Sequence, residues 1–206
     1  MKKSRAVLFA ACVACGLIPA SAQAHLVTSG MGPVYDGISH FALSPEDFLP
    51  VVVLAFFTGL RGATHARLSL AVLCLAWLAG GLTILSGVSL PAFVLPAATA
   101  GLFLLIGILL AADRKLSPGD CMLLACQLGM ARGAADLTGS AAGPSSALAL
   151  IGMAASVFVV FSLAASVTLP LSRFWTIVAA RVSGSWLAAL GLLLAGWILR
   201  YGVQVQ

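Results

Sequence analysis

Charge is what this chain lacks most. Only 8% of its 206 residues are Asp, Glu, Lys or Arg, against about 25% in a soluble domain. A soluble fold is excluded on that count, and a mean hydropathy of +1.10 points to an integral membrane protein. The eleven basic residues are spread thinly, so no phosphate-binding surface forms and nucleic acid is not an expected partner. Alternating apolar and polar residues are also missing. The apolar runs are continuous, which selects helices over a barrel, because backbone groups in lipid must be satisfied within the span. Five cysteines are present, and none falls in a polar break. Cys12 and Cys15 lie in the N-terminal apolar stretch, and Cys74, Cys121 and Cys126 sit in apolar segments as small hydrophobes. No disulfide framework is expected. No Walker A loop occurs. With three histidines and no nucleophile motif, an intramembrane enzyme is disfavoured.

What is present begins with a secretory signal, residues 1–24. Lys2, Lys3 and Arg5 precede a short apolar core, Pro19 breaks it, and Ala22-Gln23-Ala24 fits small-x-small cleavage. The core is short for a spanning anchor, the competing reading. Cleavage makes His25 the first residue and gives it two chelating nitrogens, its α-amine and its ring. A short exported segment, 25–46, then leads into a domain of six transmembrane helices, 47–206. The apolar segments are 47–60, 66–87, 91–112, 117–135, 147–169 and 175–199. A cleaved signal puts His25 outside, in the periplasm of a Gram-negative cell. The breaks holding Arg61 and Arg67, Arg114 and Lys115, and Arg173 then face the cytoplasm, while the other two hold no Lys or Arg. The positive-inside rule gives the same orientation. The expected location is a multi-pass protein of the bacterial inner membrane, with the lipid bilayer as its first partner. Gly184, Ala188, Gly191 and Ala195 share one face of the last helix and form a packing seam.

The scarce acids are not scattered. "YDGISHFALSPEDFLPVVVLAFFTGL" places Asp36, His40, Glu46 and Asp47 at the mouth of the first apolar helix. One reading is local: Ser44 caps the helix, Pro45 takes its first position, and Asp47 completes a capping box. Length argues for more. At 1.5 Å per residue, residues 45–60 reach about 24 Å, short of the ~30 Å hydrocarbon core. Carboxylates at such depth need a cation, a watery recess or a metal. The topology adds Arg132 and Asp136, one helical turn apart at the outer end of the fourth segment. Two readings follow. In one, His25, Asp36, His40, Glu46 and Asp47 bind a divalent first-row cation, for which carboxylates and neutral imidazoles are suited ligands, with Arg132 and Asp136 as a vestibule ion pair or gate. In the other, Arg132 pairs with Glu46 or Asp47 and locks two helices together.

The chain resembles the HupE/UreJ family over most of its length. The resemblance rests on "AQAH" after the signal, on "ISHFALSPEDFLPVVVLAFFTGL", on "WLAGGLTILSGVSLP", on "LGMARGAADL", and on "RVSGSWLAALGLLLAGWIL". It implies an inner-membrane permease or accessory protein for nickel or cobalt that supplies hydrogenase or urease. Maturation proteins of those enzymes would be partners, and the ion would be cargo rather than a permanently bound cofactor. His40 matches the first histidine of the family's entry motif, Glu46 its aspartate and Asp47 its second histidine. The second motif departs from the family pattern. Its three histidine positions hold Leu128, Met130 and Arg132, and Asp136 falls one place beyond the family's acid. An arginine in a cation path repels a divalent ion and pairs with acids instead. The alternative function is therefore a non-transporting membrane scaffold. N-terminal sequencing of the mature membrane protein should begin at His25; a mature chain that retains Lys2 and Lys3 overturns the cleavage reading.

Overall fold

The computed structural model describes residues 30–138, 143–168 and 174–202. Among them every regular element is a helix: α1 (Pro33–Leu43), α2 (Pro45–Gly59), α3 (Ala63–Leu85), α4 (Val94–Ala111), α5 (Pro118–Leu137), α6 (Pro144–Thr168) and α7 (Phe174–Tyr201). Proline opens α1, α2, α5 and α6, where its missing N–H costs nothing and its fixed φ suits a helix start. Gly62, at φ 111°, makes the turn between α2 and α3, a conformation that side chains with a Cβ resist. The signal segment and His25 lie outside the described residues.

Six spans were expected. Four helices are long and apolar enough to cross a membrane: α3, α4, α6 and the Ile177–Arg200 part of α7. The count rises to five if α1 and α2, bent by 72° at their junction, form one broken span. The stretch expected to be a short exported segment contains α1, which packs on α6. The expected fourth span coincides with α5. Its twenty residues suffice in length, but Asp120, Arg132 and Asp136 make it more polar than the others.

The short helix α2 sits at the centre. α2 touches every other described helix, and Val51, Leu54, Ala55 and Phe57 are sealed from solvent. Both its ends are held by arginines. At the C-terminus, Arg61 lies over the Phe57 ring, 3.6 Å from its centroid. Its Nε donates to the Arg114 carbonyl at 3.1 Å, which ties α2 to the loop between α4 and α5. At the N-terminus the partner is Arg132.

In lipid there is little hydrophobic drive to bring helices together, so close backbone approach has to do it. Glycines supply that approach in three pairings. A Cβ on Gly133 would land on the Trp77 carbonyl, and one on Gly129 on the Leu73 carbonyl, where α5 crosses α3. Gly37 and Gly152 do the same between α1 and α6. The small-residue seam of α7 meets α4, with Gly184 and Gly191 against Gly107 and Leu104. The described cysteines Cys74, Cys121 and Cys126 are free thiols. Gly133→Val should cost about 1–3 kcal/mol through forced separation of α3 and α5. The check is thermal unfolding in detergent against Gly196→Val, which has open space around it; equal stability of the two variants overturns the close-crossing argument.

Candidate functional site: a buried acid cluster under a helix bend

The bend between α1 and α2 brings the last turn of one helix over the first turn of the next. Ser44 stands at the corner, and its N–H bonds back to the His40 carbonyl at 3.0 Å. His40, in the last turn of α1, thus faces Asp47, in the first turn of α2. The expected capping role is absent here. Ser44 makes no side-chain cap bond, and the Asp47 side chain is turned inward and wholly buried. A capping box does form at the start of α5, between Ser117 and Asp120.

α5 delivers the rest of the site. The glycine-mediated crossing with α3 fixes its last turns beside α2, and Arg132 and Asp136 project from one face. Arg132 is only 5% exposed. Its Nε donates to Asp47 Oδ1 at 2.6 Å. Its Nη2 reaches Asp136 Oδ1 at 3.2 Å and Glu46 Oε1 at 3.4 Å. Three carboxylates from two helices therefore converge on one guanidinium. Glu46 is the outlier, with its side chain 63% exposed and its contact the longest of the set.

Each aspartate gives Arg132 one oxygen and keeps the other. Asp47 Oδ2 and Asp136 Oδ2 are buried and make no hydrogen bond. An unsatisfied buried acceptor of this kind costs about 1–3 kcal/mol. His40 Nε2 lies 3.8 Å from Asp47 Oδ2 and 3.9 Å from Asp136 Oδ1. One ligand atom from each of His40, Asp47 and Asp136 can be chosen so that all lie within 4.8 Å of one another. Phe41 and Trp77 pack edge to face beside the site, with ring centroids 5.9 Å apart.

Of the residues singled out from the sequence, His40, Asp47, Arg132 and Asp136 come together, and Glu46 borders them. Asp36 is half-buried one turn before His40 on α1 and stands outside the group of three. Asp136, expected with Arg132 as a vestibule ion pair or gate, does pair with Arg132 and also lies 3.9 Å from His40. Its spacing of four from Arg132 and the topology put it on the right face and at the right end of the bundle, but the sequence did not single it out as the third member of a group with His40 and Asp47.

The HupE / UreJ protein family matches residues 13–194. No curated protein and no solved structure gives a match. A match over this much of the chain, with membrane-length apolar helices beneath it, establishes the relationship. The chain belongs to the HupE/UreJ family, accessory membrane proteins of the nickel enzymes hydrogenase and urease.

Proposed function

We propose that the protein is an inner-membrane permease for a divalent metal ion, nickel or cobalt, and that His40, Asp47 and Asp136 receive the ion. The observation that carries this reading is a buried carboxylate oxygen without a hydrogen bond, Asp47 Oδ2, 3.8 Å from His40 Nε2, with Asp136 Oδ1 3.9 Å from the same nitrogen. A nitrogen with two carboxylate oxygens is a donor set for first-row divalent ions. Ligands held about 2.0–2.2 Å from a four-coordinate ion stand about 3.3–3.6 Å apart. The two separations from His40 Nε2, 3.8 and 3.9 Å, with all three ligand atoms within 4.8 Å of one another, would contract to reach that range. Charge supports it as well. With all groups ionised, the carboxylates of Glu46, Asp47 and Asp136 outnumber the single guanidinium of Arg132 by two, which a divalent cation balances.

Orientation follows from where the basic residues gather. Arg61 bonds the Arg114 carbonyl and Arg181 the Ala111 carbonyl, so these arginines share the end of the bundle opposite the acid cluster. Under the positive-inside rule that end is cytoplasmic. The acid cluster then opens to the periplasm, where His25 and Asp36 would form an outer approach to it. Counting α5 and the bent α1–α2 pair as crossings gives the six spans expected. Nickel-enzyme maturation proteins would take the ion on the inner side.

Cells expressing the protein should accumulate radioactive nickel, and His40→Ala should lower that accumulation by about 10–100-fold, the range for loss of a metal-supporting group. His40 is partly exposed at the rim, so the variant should fold normally. Unchanged uptake in it sinks the proposed ligand set.

A second reading draws on the contacts of Arg132 with three acids: a scaffold in which this ion cluster joins α2 to α5 and no ion moves. Arg132→Met should cost about 3–5 kcal/mol, because it strands buried carboxylates. The scaffold reading further expects Asp47→Arg with Arg132→Asp to restore folded protein, and nickel uptake to be nil in every variant and in the wild type. Thermal melts of the single and double variants, set beside the uptake assay, separate the two readings.

A further inference from the structure

The acid cluster does not fill its end of the bundle. A cavity of about 550 Å³ opens beside it, bounded by the C-terminal ends of α3 and α5 and the start of α4. Glu46 and Arg132 stand in its wall, and Leu90, Leu95 and Leu194 give it an apolar lining. The volume is that of a small-molecule pocket, about 300–1,000 Å³, and far exceeds what a single ion requires.

One further wall residue differs from four other described threonines. Thr58, Thr83, Thr138 and Thr168 all turn their hydroxyls back onto carbonyls of their own helices, at 2.6–2.9 Å. Thr99 does not. It is 4% exposed, and its hydroxyl is buried with no hydrogen-bond partner. Buried hydroxyls are satisfied as a rule. The Ser69 hydroxyl is also without a partner, but Thr99, unlike Ser69, lines this cavity. There, rotation about χ1 exchanges its methyl group for the hydroxyl at the wall. The Glu46–Arg132 contact, at 3.4 Å with Glu46 largely exposed, is loose enough to open toward a ligand that carries both signs of charge.

We propose that this cavity binds a small amino carboxylate on a short apolar body, and that the divalent ion reaches the acid cluster as the chelate of such a molecule. The carboxylate faces Arg132, the amine end faces Glu46, the Thr99 hydroxyl supplies a hydrogen bond, and the apolar body lies along Leu90, Leu95 and Leu194. An α-amino carboxylate holds a first-row divalent ion through its nitrogen and one oxygen once the ammonium has released a proton to water, and the coordinated NH2 group still donates hydrogen bonds toward Glu46. Arg132 touches the cavity and both aspartates, so a chelate seated there has its ion beside the cluster. The delivery part rests on the metal reading above; the binding of the amino carboxylate does not.

The test is equilibrium binding to the full chain in nanodiscs of tritiated L-leucine and L-histidine, each alone and as its nickel chelate, with nickel chloride as a separate ligand. The expected result is saturable binding of the chelates, weakened at least about tenfold, or 1.4 kcal/mol, by Thr99→Val. Ala92→Trp should weaken it similarly. Ala92 is exposed in the loop before α4 and lines the cavity, so this variant plugs the mouth without touching the core. Nickel chloride alone should bind both variants as it binds the wild type. Chelates that fail to bind, or that bind both variants undiminished, overturn the cavity assignment. Free amino acids binding as tightly as their chelates overturn the delivery step. Chelate binding without any binding of nickel chloride to the wild type removes the metal reading of His40 and leaves the cavity assignment standing.

Discussion

The interaction on which the rest depends is the salt bridge between Arg132 and Asp47. Both groups are sealed inside a protein that carries very few charges, and each would be costly there alone. Together they join the central helix α2 to α5. The geometry leaves the pair unbalanced, because Asp136 and Glu46 lean on the same guanidinium. One oxygen of each aspartate is left unused, so the cluster ties the helices together without satisfying all of its own acceptors.

Small residues make that arrangement possible. Arg132 sits next to Gly133, which lets the backbone of α5 rest on that of α3 at Trp77. Gly37 and Gly152 set α1 on α6 in the same way, and this holds His40 above the first turn of α2. The site is thus built by backbone contacts on either side of it. Where the family pattern has histidines, this chain has Leu128, Met130 and Arg132. Leu128 is buried in the core, while Arg132 has become the centre of the charge cluster.

The four-residue pattern Ser-Pro-x-Asp occurs twice and does two different things. At "SPGD", Ser117 and Asp120 bond each other's backbone N–H groups in a reciprocal cap. At "SPED", the same spacing produces no cap, and Asp47 is drawn into the interior. Local chemistry is alike at both places. The difference is that α2 has an arginine from another helix within reach, and a carboxylate bonded to a guanidinium joins two opposite charges where a cap bond joins one charge to a neutral N–H.

The sequence by itself determined the class of structure and much of its plan. Long apolar runs with few charges permit only helices in lipid, and the breaks between them fell close to the observed helix ends. Of the two acids at the start of residues 45–60, expected from the short reach to need a cation or a recess, Asp47 is buried against Arg132 and Glu46 is largely exposed. The seam of Gly184, Ala188 and Gly191 was visible because helical periodicity is a local property. One meeting of distant segments, Arg132 with Glu46 or Asp47, was also among the expected pairings, because topology put these few charges at the same end; the tertiary structure decided the rest. The helical state of 33–43 and its 72° bend into α2, the choice of Asp136 over Asp36 to stand with His40 and Asp47, and the orphaned hydroxyl of Thr99 are of this kind. Periodicity fixes which face a residue occupies; it carries no information about which face of another helix will be pressed against it, because that is set by backbone approach at glycines far away in the chain.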